Sequence, residues 1–216
     1  MTTPDLDAVL AHVHAAFDAI PYPGDPFLLG SHDGSEPFEV VGAFVGRTDW
    51  RALEPAFLDA HYTALSFLSE AGFRFYLPAY LVADVRGALQ TADPVFHLTH
   101  GLIDETHEER IGERTFTWRS GRSSLLNPRR YGAATWWDHV QARLGAFTRE
   151  EAGAIVTYLE HAAARSEINP ERDRITRALD AYWRDRARTA PTAADLARHL
   201  AAESELHAGR MARYRP

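Results

Sequence analysis

Four potential metal ligands fall within a short span, in the pattern His97-x-x-His100-x-x-x-Asp104-x-x-His107. Neutral imidazoles with one carboxylate suit zinc, nickel or iron, and an open position on such a divalent metal activates water for hydrolysis. The spacing matches no compact metal motif, because there is no H-E-x-x-H and no histidine pair four residues apart. The chain has 11 histidines, so local groupings also arise by coincidence. Surface and loop histidines are the competing account, and beyond this cluster no cofactor is predicted.

A second constellation follows at once. Arg110, Arg114, Arg119, Arg122, Arg129 and Arg130 face only Glu113 in sequence, with Phe116, Trp118 and Tyr131 interleaved. Guanidiniums on phosphates with rings under bases hold single-stranded nucleic acid without sequence readout. Asn127-Pro128-Arg129-Arg130-Tyr131-Gly132 reads as a tight turn able to grip one phosphate or carboxylate. The candidate anion-binding set is therefore Arg119, Arg122, Arg129, Arg130 and Tyr131. The competing account pairs these arginines in cis with Asp104, Glu105, Glu108 and Glu109 just before them. All 23 basic residues are arginine and lysine is absent. Arginine suits bidentate anion binding better than lysine does, but a chain without lysine displays no choice between them.

Other chemistries lack their residues. With no cysteine, disulfides, thiolate catalysis and cysteine-type zinc sites are excluded. Ser66, Ser123 and Ser124 have no evident base partner, and neither Gly-rich phosphate-loop pattern occurs. Pro21-Tyr22-Pro23-Gly24-Asp25 could offer an exposed tyrosine for recognition, though such a loop more often just redirects the chain.

The elements that must position these residues are helical. At 216 residues, 45% hydrophobic and 25% charged, the chain can bury a sizeable core. The N-terminus carries acids where a secretion signal needs basic residues, and no apolar run reaches membrane-spanning length, so a cytoplasmic, non-membrane protein is expected. Net charge is −7 but uneven: residues 1–109 hold 17 acids against 4 arginines, while 110–164 and 165–216 are each +3. The split marks a partner face or two parts of the chain attracting each other in cis; the second needs no partner.

Thr3 and Pro4 open a first helix, with Leu6, Val9, Leu10, Val13, Phe17 and Ile20 on one face. Ser35 caps a short helix ended by Gly46. From Ala52 to Gln90 helical pieces follow, Ser69 capping a segment from Phe73 to Val85 that is apolar nearly all round and so central; Pro78 must kink or restart it. Asp93 caps a short helix over Pro94–Thr99. Alternation through Thr-Phe-Thr-Trp makes Arg114–Arg119 a strand of a small hairpin near 109–119. Helices return at Trp136, at the Thr148-x-x-Glu151 capping box, at Asn169-Pro170, and at Pro191-Thr192, where Leu196, Leu200 and Leu206 share a side. The fold class is all-α: a main helical domain over 1–165, and a helical hairpin over 166–216 that packs on it or serves association.

Pro21–Asp25, Ala64-Leu65-Ser66-Phe67-Leu68, Phe73-Arg74-Phe75-Tyr76-Leu77-Pro78-Ala79-Tyr80-Leu81 and Asn127–Gly132 together resemble an uncharacterised family of bacterial hypothetical proteins, over roughly residues 5–165. The resemblance implies a bacterial, non-secreted, mainly helical protein and carries no activity with it. On the residues themselves the leading expectation is a non-enzymatic binding or regulatory protein whose partner is another protein, with a homodimer left open. The alternatives are a metal-assisted or phosphoester hydrolase built on the histidine cluster or the Arg129/Arg130 loop, and a single-stranded nucleic-acid-associated protein; nucleic acid is the least favoured partner.

Overall fold

A computed structural model describes residues 5–212, with side chains described through residue 202 apart from Arg130. The fold is mainly α with one antiparallel hairpin, as the patterning predicts. Helix α1 (Leu6–Phe17) buries Val9, Val13 and Phe17, the inward members of its stripe, while Leu6 is 41% exposed. Thr3 and Pro4 lie outside the described residues. Helix α2 (Glu36–Gly42) begins after Ser35, whose side chain makes no capping bond.

Short helices α3 (Pro55–Ala60) and α4 (Ala64–Phe67) lead into α5 (Glu70–Val85). Ser69 caps α5 by accepting from Gly72 N. From Phe73 to Val85 nearly every side chain of α5 is buried, so it is the axis around which the other helices pack. The helix runs through Pro78 without restarting. Proline removes only its own bond to the carbonyl four residues back, and packing on all sides holds the flanking turns. The loop after α5 is stapled by Asp59, which accepts from Gln90 N (2.9 Å), Thr91 N (3.0 Å) and Ala92 N (2.9 Å).

Helix α6 (Pro94–Thr99) starts on Asp93, whose carboxylate accepts from Phe96 N at 2.9 Å. The hairpin follows: β1 (Asp104–Ile111) pairs with β2 (Arg114–Gly121), from Asp104 opposite Gly121 to Ile111 opposite Arg114. Its two-residue loop is Gly112-Glu113, with Gly112 at φ 64, where glycine is the residue a tight hairpin turn favours. The arm is longer than the single strand read from Arg114–Arg119. Its first strand, Asp-Glu-Thr-His-Glu-Glu-Arg-Ile, is too polar to show alternation.

Beyond a single turn α7 (Pro128–Tyr131), helix α8 (Trp136–Leu144) is capped by Thr135, and α9 (Arg149–Arg165) by the capping box of Thr148 and Glu151. Helix α10 (Asn169–Ala178) passes through a π turn (Leu179–Trp183) into α11 (Arg184–Thr189). This run lies along α9 and places Ile175, Ala178, Leu179, Tyr182 and Trp183 in the same core as α1 and α5. Trp183 is fully buried and its Nε1 donates to Leu98 O at 2.7 Å. Burial of a ring that size, roughly 150–250 Å², stabilises by up to about 4–6 kcal/mol.

Helix α12 (Ala193–Ala212) differs from the stripe read for it: Leu200 is 53% exposed rather than facing a core, and the side chain of Leu206 lies outside those described.

Candidate functional site

The four residues of the histidine cluster are each engaged separately. His97 and His100 stand three apart on and just after α6; Gly101, at φ 80, then turns the chain into β1 and carries Asp104 and His107 away. His97 packs near the rings of Phe96 and Phe73. Burial, then Arg143 and His100, push its imidazole down to about 4, so it is neutral at ordinary pH. His100 stacks on Phe96 (4.7 Å) and meets the edge of Trp136 (5.2 Å). Asp104 accepts from both Ser123 N (2.8 Å) and Ser123 Oγ (2.7 Å), bonds that hold its carboxyl below the usual range. His107 lies on the arm, hydrogen-bonded to Ser120 Oγ and stacked on Trp118. Among the described residues, no group of three or more His, Asp or Glu side chains could hold a metal ion.

His100, Glu105, Ser120 and Arg174 do line a common cavity, but it holds only about 20 Å³. That is room for one water molecule, which needs polar partners of this kind.

Around α8 the rings continue. Trp136 and Tyr131 both approach His139, whose imidazole is lowered chiefly by burial. Arg143 is drawn inside this cluster. Its guanidinium donates to Leu68 O (3.3 Å) and Leu65 O and covers the Phe73 ring at 4.4 Å. Burial pulls its pKa down to about 10, which still leaves it charged at neutral pH. Carbonyls and a ring face satisfy it, so it braces α4, α5 and α8 together.

The candidate anion-binding residues are dispersed. Arg119 is exposed on β2 and Arg122 lies just after that strand, with its guanidinium 3.8 Å above the Trp137 ring. Arg129 is exposed on α7; Tyr131, 37% exposed, turns towards Trp136 and His139. The side chain of Arg130 lies outside those described. Among the described residues, the cis pairing expected with the preceding acids shows at Asp104, whose carboxyl feels Arg119 and Arg122 without a direct ion pair. The Pro21–Asp25 loop is a brace. Tyr22 donates to Asp25 and rests against Phe75, and Asp25 also accepts from Gly46 N at 2.8 Å.

A feature not legible in the sequence adjoins Arg122. Between α8 and the π turn runs a groove of about 280 Å³, lined by Trp137, Gln141, Tyr182, Asp185, Arg186 and Thr189 among others. Trp137 and Tyr182 meet edge to face at 6.2 Å. In the sequence both aromatics belong to apolar stripes and carry no mark of a site. The π turn, whose hydrogen bonds span five residues, sets Tyr182 beside Trp137, and nothing local in Leu-Asp-Ala-Tyr-Trp signals it.

The fold and these features define a mainly α-helical protein with a protruding two-stranded arm. A family model, described as a family of unknown function (DUF6714), matches residues 34–187, and the chain belongs to that family. The match runs past residue 165 through α10, the π turn and most of α11, further than the blocks that carry the resemblance. No curated protein and no solved structure matches the chain. Among the described residues, no helix is long and apolar enough to cross a membrane.

Proposed function

We propose that this is a non-enzymatic bacterial cytoplasmic protein that binds another protein through the β1–β2 arm. The observation that supports this most directly is three exposed apolar side chains on one face of the arm. Residues opposite one another in an antiparallel pair share a face, so Glu105, His107, Glu109 and Ile111 lie with Ser120, Trp118, Phe116 and Arg114. On that face Ile111 is 58% exposed, Phe116 48% and Trp118 47%. Neither strand packs extensively on any helix.

A lone two-stranded hairpin is at best marginally stable in water. Aromatic residues and arginine are enriched at protein interfaces, and Phe116, Trp118 and Arg114 stand together on this face. From Asp104 to Gly121 the arm carries five acids against three arginines. A net-negative arm favours a protein partner over a nucleic-acid backbone, which requires the opposite balance.

The test is a photo-crosslinking residue placed in cells at Phe116 and, separately, at Val45, an exposed apolar position remote in sequence from the arm (53% exposed). The expected result is a discrete protein adduct from Phe116 alone, lost when Trp118→Ala is added. Adducts of equal yield from both positions, or from neither, overturn the proposal. A second copy of this chain as the adduct makes the partner a homodimer mate and leaves the proposal standing.

A further inference from the structure

We propose that the outer edge of β2 pairs with the same edge of a second copy of this chain, antiparallel and about a two-fold axis at Thr117. The inference rests on the reading of the arm as a protein-binding surface and names the partner and the edge it takes.

The edge has its backbone groups to offer. Hydrogen-bonded and non-hydrogen-bonded pairs alternate along an antiparallel ladder. Arg122 N donates to Ile103 O at 3.1 Å, one step beyond the Asp104–Gly121 pair, and this sets the phase of the alternation. Even-numbered residues of β2 therefore bond to β1, and Thr115, Thr117 and Arg119 direct their N–H and C=O groups outward. All three are exposed, and among the described residues no hydrogen bond reaches those groups. An unpaired strand edge is a template for another strand, unless proline, a bulge or charge blocks it. The register of β2 is unbroken, it holds no proline, and it carries no charge between Arg114 and Arg119.

The residues also suit a copy of themselves. Antiparallel pairing centred on Thr117 sets Phe116 against the partner's Trp118, Thr115 against the partner's Arg119, and Arg114 against the partner's Ser120. Phe116 and Trp118 then meet in a non-hydrogen-bonded pair, the kind that brings side chains closest, and the axis repeats it. No two like charges oppose each other in this register. The β1 edge cannot do the same. Copies of β1 centred on Thr106 set Asp104 against Glu108, and copies centred on His107 set Glu105 against Glu109. Centring on Glu108 or Glu109 sets that glutamate against itself, and like charges directly opposite destabilise.

Pairing further supplies what the arm lacks. Three or more strands with an apolar face are needed where two are marginal. Two arms joined at β2 make a four-stranded sheet, with Ile111, Phe116 and Trp118 of both copies on one face.

The chain has no cysteine, so single introduced thiols report the geometry. Thr117→Cys puts two thiols on the axis, with Cα atoms roughly 5.5 Å apart, within reach of a disulfide. Glu108→Cys, opposite Thr117 on the other edge of the arm, is the control. Mild oxidation of the full chain is expected to yield covalent dimer from Thr117→Cys and little from Glu108→Cys. Without thiols, sedimentation of the wild type is expected to show a concentration-dependent dimer. Thr117→Pro removes only an outward N–H, and the axis removes it twice, so dimerisation weakens by about tenfold or more. Glu108→Pro, the same change on the β1 edge, leaves the dimer intact. Equal crosslinking at both positions overturns the inference, as does equal weakening by both prolines. Assemblies that grow beyond the dimer overturn it too, since β1 pairing with β2 of the next copy leaves edges open. A wild-type monomer whose Phe116 crosslinks to a different protein overturns this inference and leaves the arm reading standing; a monomer with no adduct overturns both.

Discussion

Arg74 on α5 and Glu151 at the start of α9 form a two-pronged ion pair, with Nε donating to Oε2 at 2.8 Å and Nη2 to Oε1 at 2.5 Å. Glu151 is 2% exposed and its Oε2 also accepts from Thr148 N at 3.0 Å, so one carboxylate closes the capping box and ties α9 to the central helix. Removing one partner of a buried pair strands the other's charge and typically costs about 3–5 kcal/mol. Glu151→Ala is expected to lose that much in chemical denaturation, and Glu151→Gln less, since an amide oxygen still accepts from Thr148. The paired change Arg74→Met with Glu151→Met should cost less than the sum of the singles. Strict additivity would show that the two side chains do not act as a unit.

His97 predicts a pH dependence with a definite sign. Its folded pKa, about 4, lies below the unfolded value of about 6.5, so the unfolded chain binds the extra proton first. The contribution is complete above the unfolded value and is lost as pH falls from there towards 4. The change is up to about 3 kcal/mol, at 1.36 kcal/mol per pKa unit. His61, His100 and His139 are lowered in the same direction, so the comparison must be with a variant. Urea unfolding of His97→Met between pH 7 and pH 4 is expected to show a shallower decline than the wild type; parallel curves would contradict the assignment to His97.

Gly121 ends β2 at φ 112, and a Cβ there would lie 2.1 Å from Ile103 O. Ala at this position meets both a backbone clash and the left-handed penalty, of order 1–2 kcal/mol by itself. Gly112, at the arm's tip, has φ 64 but open space around it. Gly121→Ala is therefore expected to abolish hydrogen-exchange protection over Asp104–Gly121, whereas Gly112→Ala only reduces it. Equal protection in both variants would be inconsistent with the crowding at Ile103.

What the sequence made legible was local. Asp93 before Pro94, and Thr148 three residues before Glu151, are caps whose partners lie within one turn, so residue type and spacing identify them. The apolar surround of Phe73–Val85 likewise announced a buried central helix. Of the two outcomes read from Pro78, a kink or a restart, the restart does not occur: the helix is continuous from Glu70 to Val85. The candidate sites depended on distance in space. His97 and His107 are ten positions apart, but a turn at Gly101 and an extended strand between them remove any common centre. The groove beside Trp137 needs α8, the π turn and α11 brought together, and no short window contains that information.

The arm leaves the helical body at Asp104 and returns at Gly121, and these two residues face each other across the ladder. Everything between them is carried on a stem one strand-pair wide. Substitutions at Phe116 or Trp118 can therefore change the exposed surface of the arm while the cap at Thr148 and the anchor at Trp183 stay as they are.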